Sequence, residues 1–231
     1  MIRISNKYLE TPIVLEPSHP FILSVENSKE FYKFVTDLNN AFLDETSDFS
    51  FWNGDKQISP EKSGEIILSP FHFDFTDKKI INLLYKKLQN NYNDGAFIAE
   101  FNEINSRVEN FLFDLCSTID FSLEHDSLSL EAVLKSCSVK PAKTYDSFLE
   151  KLICYINIFV SLKSVSFFVL IGIKDVLSDE ELALLYKHCE LNKVSLFLLE
   201  RGRGEKTIEN ERKIIITEDL CEIVENIAEM Y

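Results

Sequence analysis

The sequence predicts an α/β fold, and three observations carry that prediction. Val165-Ser-Phe-Phe-Val-Leu-Ile171 is almost continuously apolar, as a strand covered on both faces is. Ser178-Asp-Glu-Glu181 then opens a helix with the capping-box pattern, and Val194-Ser-Leu-Phe-Leu-Leu199 follows as a second buried strand, which completes a βαβ unit. Strand-like runs also lie toward both ends of the chain, while helical spacing fills its middle. The economical architecture is an α/β head domain formed by residues 1–72 and 145–231, with a helical domain at 73–144 inserted between its halves.

Taken in order, Pro12-Ile-Val-Leu15 and Phe21-Ile-Leu-Ser-Val25 read as short strands around a turn with two prolines. Asn27 caps a helix whose stripe is Phe31, Phe34, Val35, Leu38 and Phe42. Ser50-Phe-Trp-Asn-Gly54 predicts a hairpin around an Asn-Gly turn, and Ile66-Ile-Leu68 another strand. From Asp77 to Cys116 the spacing predicts two antiparallel helices broken at Asn90–Gly95, the second with a stripe of Ile104, Val108, Phe111, Leu112 and Leu115. A short helix over Ser129–Ser136 and a long one over Tyr145–Leu162 lead to the βαβ unit. Lys213-Ile-Ile-Ile216 predicts a last strand, and Thr217 with Glu218 and Asp219 the start of a last helix.

The chain has 231 residues and 45% hydrophobic content, with nineteen Phe against six Gly and six Pro, which suits a well-packed protein. No apolar run approaches the roughly 18 residues of a membrane helix, and Met1-Ile-Arg-Ile-Ser carries no signal-peptide pattern. The expectation is a soluble, cytoplasmic protein. Five dispersed cysteines then read as buried free thiols, and neither they nor the four histidines form a zinc or nucleophile motif. The formal charge of −14 argues against nucleic acid unless lysines are segregated or cations neutralise the carboxylates.

The sequence contains no G-x-x-x-x-G-K-[ST], G-x-G-x-x-G or G-x-S-x-G. Where a phosphate loop would follow Phe21–Val25, the chain reads Glu26-Asn-Ser-Lys-Glu30, with no glycine and with two acids that repel phosphate. Lys29 alone does not restore such a site. Gly202 and Gly204 lie in a segment that is either an ordinary solvated loop or an anion-binding turn in which Arg201, Arg203 or Lys206 contacts the DNA backbone. Asp120, Glu124 and Asp126 lie within an acidic stretch that could supply oxygens to a hard cation, although spacing alone favours a solvated loop. Lys78, Lys79, Lys86 and Lys87 lie on one helix without an acid in its body, and Lys135, Lys140 and Lys143 follow the acidic stretch. These are either solvated surface lysines or a stripe that tracks a phosphate backbone. No sequence-reading DNA motif accompanies them.

A family likeness runs through Ser166–Ile171, Leu177–Leu182 and Val194–Glu200, and extends to Phe121–Asp126 with Val133–Ser136 and to Ile66–Leu68 with Phe73–Phe75. In these segments, taken in order, the chain resembles the Csn-type adaptation proteins of type II-A CRISPR systems. The resemblance implies a head like a P-loop ATPase without its nucleotide site, a helical leg, and no enzymatic activity. It further implies a homotetrameric ring whose lysine-lined channel threads double-stranded DNA from its ends in support of spacer acquisition. Calcium ions would hold the legs, with Glu124 and Asp126, and more weakly Asp120, as ligands. The CRISPR integrase complex and the effector nuclease are the implied protein partners. The alternatives are a degenerate P-loop-like ATPase and an acidic protein–protein scaffold.

Overall fold

The computed structural model describes residues 2–71, 74–142, 145–203 and 208–225. The chain divides into two compact units, one of residues 1–73 with 145–231 and the other of residues 74–144. The first is mixed α/β.

Its central layer is a six-stranded sheet built from β3 (Phe21–Val25), β6 (Gly64–Ile67), β7 (Phe167–Ile171), β8 (Ser195–Arg201), β9 (Arg212–Ile216) and β10 (Glu222–Glu225). The order is β10-β9-β3-β8-β7-β6, parallel except for β10, which runs antiparallel to β9. All five residues of β3 and of β7 are buried, as an apolar run in a sheet covered on both faces requires. A second sheet joins β1 (Ile2–Asn6), β2 (Ile13–Leu15), β4 (Phe49–Asn53) and β5 (Lys56–Ile58) in the antiparallel order β2-β1-β4-β5.

Alternation along the strands separates two cores. Phe21, Phe167 and Phe197 face a cluster shared with α1 (Ser28–Phe42) and the antiparallel sheet, where Phe51 stacks on Phe167 at 5.8 Å. On the other face Phe168 meets Phe159 of α6 (Phe148–Lys163) edge-on at 6.5 Å. The helix α7 (Asp179–Leu191) packs on α6 and β8 and starts with the expected reciprocal capping box of Ser178 and Glu181. Gly64, after the short α2 (Pro60–Ser63), is fixed by contact: a Cβ there would clash with the edge of the Phe167 ring.

Beneath the β7–β8 end lies a buried ionic group. The Glu211 carboxylate accepts two bonds from Lys174 Nζ (2.8 Å each), one from the Tyr186 hydroxyl (2.6 Å) and one from the Ile208 N–H (2.9 Å). Glu200, at the end of β8, accepts from the N–H groups of Ile173 and Lys174 at 3.0 and 3.2 Å. Its burial pushes the carboxyl pKa up to about 7 against those stabilising bonds.

The second unit contains α3 (Lys78–Asn93), α4 (Ile98–Cys116) and α5 (Leu130–Ser136). Asp77 caps α3 by accepting from the Lys79 N–H, and Ser129 caps α5 by accepting from the Ala132 N–H. Tyr92 and Phe101 meet edge-on at 5.5 Å across the break between α3 and α4.

Four expectations change. Thr217 opens a turn, not a helix: its N–H donates to the Cys221 carbonyl, Leu220 takes φ 62°, and the chain then pairs as β10. The β1 strand was not foreseen, because an alternation carried by only Ile2 and Ile4 is too short a signal. The hairpin loop is Gly54-Asp55, since Asn53 pairs with Lys56, and Gly54 at φ 61° takes the first loop position. Finally, only Cys189 is buried, its thiol pKa pushed up to about 12 by desolvation, whereas Cys137 and Cys221 are exposed.

Candidate nucleic-acid interface

Ile80 is the one buried residue of α3, and Tyr85 ties the helix to α5, its hydroxyl donating to the Leu134 carbonyl at 3.1 Å. Beyond α5 the chain reverses at Ser138 (φ 51°), where the Ser138 N–H donates to the Lys135 carbonyl and the Val139 N–H to the Leu134 carbonyl, each at 3.0 Å. That reversal carries Lys140 back beside the helix pair. The result is a concavity of about 760 Å³ whose walls include Lys86, Lys135, Lys140, Asn82, Tyr85 and Gln89.

Three of the lysines expected to contact DNA thus share one surface. A helix turns about 100° per residue, so Lys86 lies on the face of Asn82 and Gln89 while Lys87 is carried away from it. Lys78 and Lys79 are exposed at the start of α3, outside the concavity. Lys143 lies outside the described residues. Asn82 and Gln89 were not foreseen as site residues, although their spacing of four and three from Lys86 is the helical-face signal that marks them.

Lys135 pairs with Glu131 at 2.6 Å one turn earlier, and its ammonium pKa is raised, chiefly by that hydrogen bond. Both side chains are largely exposed, so the pair holds Lys135 weakly and a phosphate can replace Glu131. Lys86 and Lys140 make no ion pair among the described residues and stand exposed. The surface can therefore offer three ammonium groups and the side-chain amides of Asn82 and Gln89 to a polyanion, against the one carboxylate of Glu131 on the same wall.

Arg201 and Arg203 belong to the other unit. The Arg201 guanidinium donates to Ser28 Oγ at 2.8 Å, and the Arg203 carbonyl accepts from Lys213 Nζ at 2.6 Å. Gly204 and Lys206 lie outside the described residues. At the β3–α1 junction only Glu26 and Asn27 separate strand from helix. Asn27 Oδ1 already accepts the Lys29 and Glu30 N–H groups, and the Glu26 carboxylate accepts the Glu218 N–H at 3.0 Å. The N–H groups that would cradle a phosphate are thus taken, and a carboxylate stands beside them.

Asp120, Glu124 and Asp126 are exposed on the irregular segment between α4 and α5. The His125 Nδ1 lies 3.3 Å from the Asp126 carbonyl, and the Leu128 N–H donates to Asn105 Oδ1 at 3.3 Å, which ties the end of the segment to α4. Among the described residues, no three acidic, histidine or cysteine side chains gather as a metal group. Calcium takes 6–8 oxygens, and these carboxylates alone do not build that shell.

A model of the CRISPR-associated protein (Cas_Csn2) family matches residues 41–220, which takes in most of both units. The chain belongs to the Cas_Csn2 family. Membership makes it a CRISPR-associated protein, and the Csn2 family implies a type II-A system. Comparison with curated proteins gives no match. The lysine concavity and the segment from Asp120 to Asp126 both fall inside the part matched by the Csn2 model.

Proposed function

We propose that this Csn2-family chain is a non-enzymatic binder of double-stranded DNA ends that supports spacer acquisition in the cytoplasm. The observation that carries the reading is the convergence of Lys86, Lys135 and Lys140 on one concave surface of an otherwise acidic protein. Ammonium groups at that surface displace counterions from phosphates, and they contact the backbone without reading bases. Binding is therefore strongly salt-dependent and indifferent to sequence.

A homotetrameric ring is proposed on a second observation. Helix α4 has no buried residue, yet it carries Ile104, Phe111, Phe113 and Leu115 exposed; Phe111 and Phe113 are 63% and 73% accessible. Ile104, Phe111 and Leu115 recur at helical spacing on one side of α4, and exposed apolar surface of this kind marks a face that another chain covers. In a closed ring the lysine surfaces line a channel that linear DNA enters by its ends. Calcium is proposed as the cation of the Asp120–Asp126 segment, with its remaining oxygens supplied by water or by a second copy. The head is proposed as a P-loop-like scaffold whose nucleotide site is lost, on the strength of the occupied β3–α1 junction. The CRISPR integrase complex and the effector nuclease are the proposed protein partners.

A gel shift tests the reading. Linear duplex should be retarded, a covalently closed circle of equal length should not, and a calcium chelator should weaken the complex. Equal retardation of circle and line overturns threading, and detectable ATP binding would restore the rival ATPase reading.

A further inference from the structure

A second concavity, of about 270 Å³, lies on the first unit and has the opposite chemistry. Its walls include Tyr8, Tyr32, Phe34, Glu30, Asp37 and Asp48. Tyr8 and Tyr32 are 58% and 70% exposed, whereas Phe34 is buried beneath them and holds Tyr8 edge-on at 6.3 Å. The Asp37 carboxylate is oriented by the Asp48 N–H, which donates to its two oxygens at 2.9 and 3.1 Å. Lys33 pairs with Glu30 at 2.6 Å and Lys7 with Asp48 at 2.6 Å, which leaves Asp37 without an ion pair among the described residues and the wall net negative, disfavouring DNA phosphate.

The protein itself shows what such a wall attracts. Lys7 Nζ stands 4.8 Å from the centre of the Tyr8 ring and 2.6 Å from Asp48 Oδ2. A cation over a tyrosine face and against a carboxylate is therefore satisfied here by an intramolecular group. Both Lys7 and Asp48 are well exposed, so that pair is weak and open to exchange.

We propose that this pocket receives an arginine side chain from a basic segment of a partner protein, with Lys7 as its intramolecular competitor. The volume lies below the roughly 300–1,000 Å³ of small-molecule sites and suits one side chain. A guanidinium is preferred over an ammonium because its plane stacks on tyrosine while its fork donates to a carboxylate. Charge complementarity favours a basic partner for a chain of net charge −14.

The test is an amide chemical-shift titration of the nitrogen-labelled full chain at low salt. The probe is acetyl-Gly-Gly-Arg-Gly-Gly-amide, with versions in which lysine or uncharged citrulline replaces arginine. The arginine peptide should move the amides of Tyr8, Tyr32 and Asp48, bind more tightly than the lysine peptide, and bind about tenfold more tightly than the citrulline one. Tyr32→Ala, at an exposed position, should weaken it about two- to fivefold. Lys7→Gln should tighten it about two- to fivefold by removing the competitor. Equal binding of arginine and citrulline, no response to Lys7→Gln, or movement of the same amides by linear DNA would each overturn the proposal. The peptide comparisons and the Lys7→Gln result do not bear on the lysine surface, so the two readings fail separately.

Discussion

Substituting Glu211 by Ala probes the most demanding interaction in the first unit. The Glu211 side chain is fully buried and accepts four hydrogen bonds, two of them from the ammonium of Lys174, whose side chain is only 19% accessible. Its removal leaves a buried ammonium and the Tyr186 hydroxyl without their acceptor. Breaking a buried ion pair from one side costs about 3–5 kcal/mol, and the residual access of Lys174 places this case near the lower figure. Trp52 in β4 is the chain's single tryptophan, so its fluorescence reports unfolding of this unit directly. With a urea m-value of about 3 kcal/mol/M, the midpoint should fall by about 1 M. Adding Lys174→Met removes the orphaned charge and should recover part of the loss, with a coupling of about 0.5–3 kcal/mol. A Glu211→Ala protein within about 0.5 kcal/mol of the parent would refute the reasoning.

Glu200 gives a pH prediction. Its folded pKa of about 7 lies above the ordinary carboxyl value of 4.5, so the stability it contributes is present below pH 4.5 and is lost as pH rises through 7. Glu200→Gln keeps an acceptor for the Ile173 and Lys174 N–H groups, and it should gain on the parent from pH 5 to 8 by up to about 3 kcal/mol; urea unfolding at both pH values checks this, and a difference that stays flat contradicts it. Gly64→Ala should destabilise by about 1–3 kcal/mol through the Phe167 ring, and a thermal midpoint equal to the parent's would contradict it. Phe111→Ser with Phe113→Ser should leave the fold intact and lower the solution mass toward 26.7 kDa by light scattering; an unchanged mass removes α4 from the assembly.

The strands and caps of the βαβ unit were legible because local signals and tertiary placement agree there. Ser178 and Glu181 close the capping box that their spacing announces, and the unbroken run at Phe167–Ile171 is buried on both sides. The C-terminal segment misled because Thr217-Glu-Asp resembles a helix start, while pairing along β9 and the Glu222 carboxylate, which accepts the Glu10 and Thr11 N–H groups, holds Glu222–Glu225 as a strand. Tertiary pairing overrode local propensity. The apolar stripe of α4 was also legible, but periodicity does not say how far a stripe finds cover within its own chain: Val108 and Leu112 are half-buried here, whereas Ile104, Phe111 and Leu115 stay exposed. At the lysine surface, spacing alone could not separate Lys86 from Lys87. The contact of Tyr85 with Leu134 shows which face of α3 meets α5.

The most direct measurement is the salt dependence of linear-duplex affinity for the parent and for Lys86→Ala/Lys135→Ala/Lys140→Ala. The proposed function predicts a steep log–log slope in the parent that becomes shallower by about 0.9 for each lysine engaged with a phosphate. All three positions are exposed, so the variant should keep its fold. A parent slope near zero, or a triple variant with the parent's slope and affinity, would contradict DNA binding at this surface.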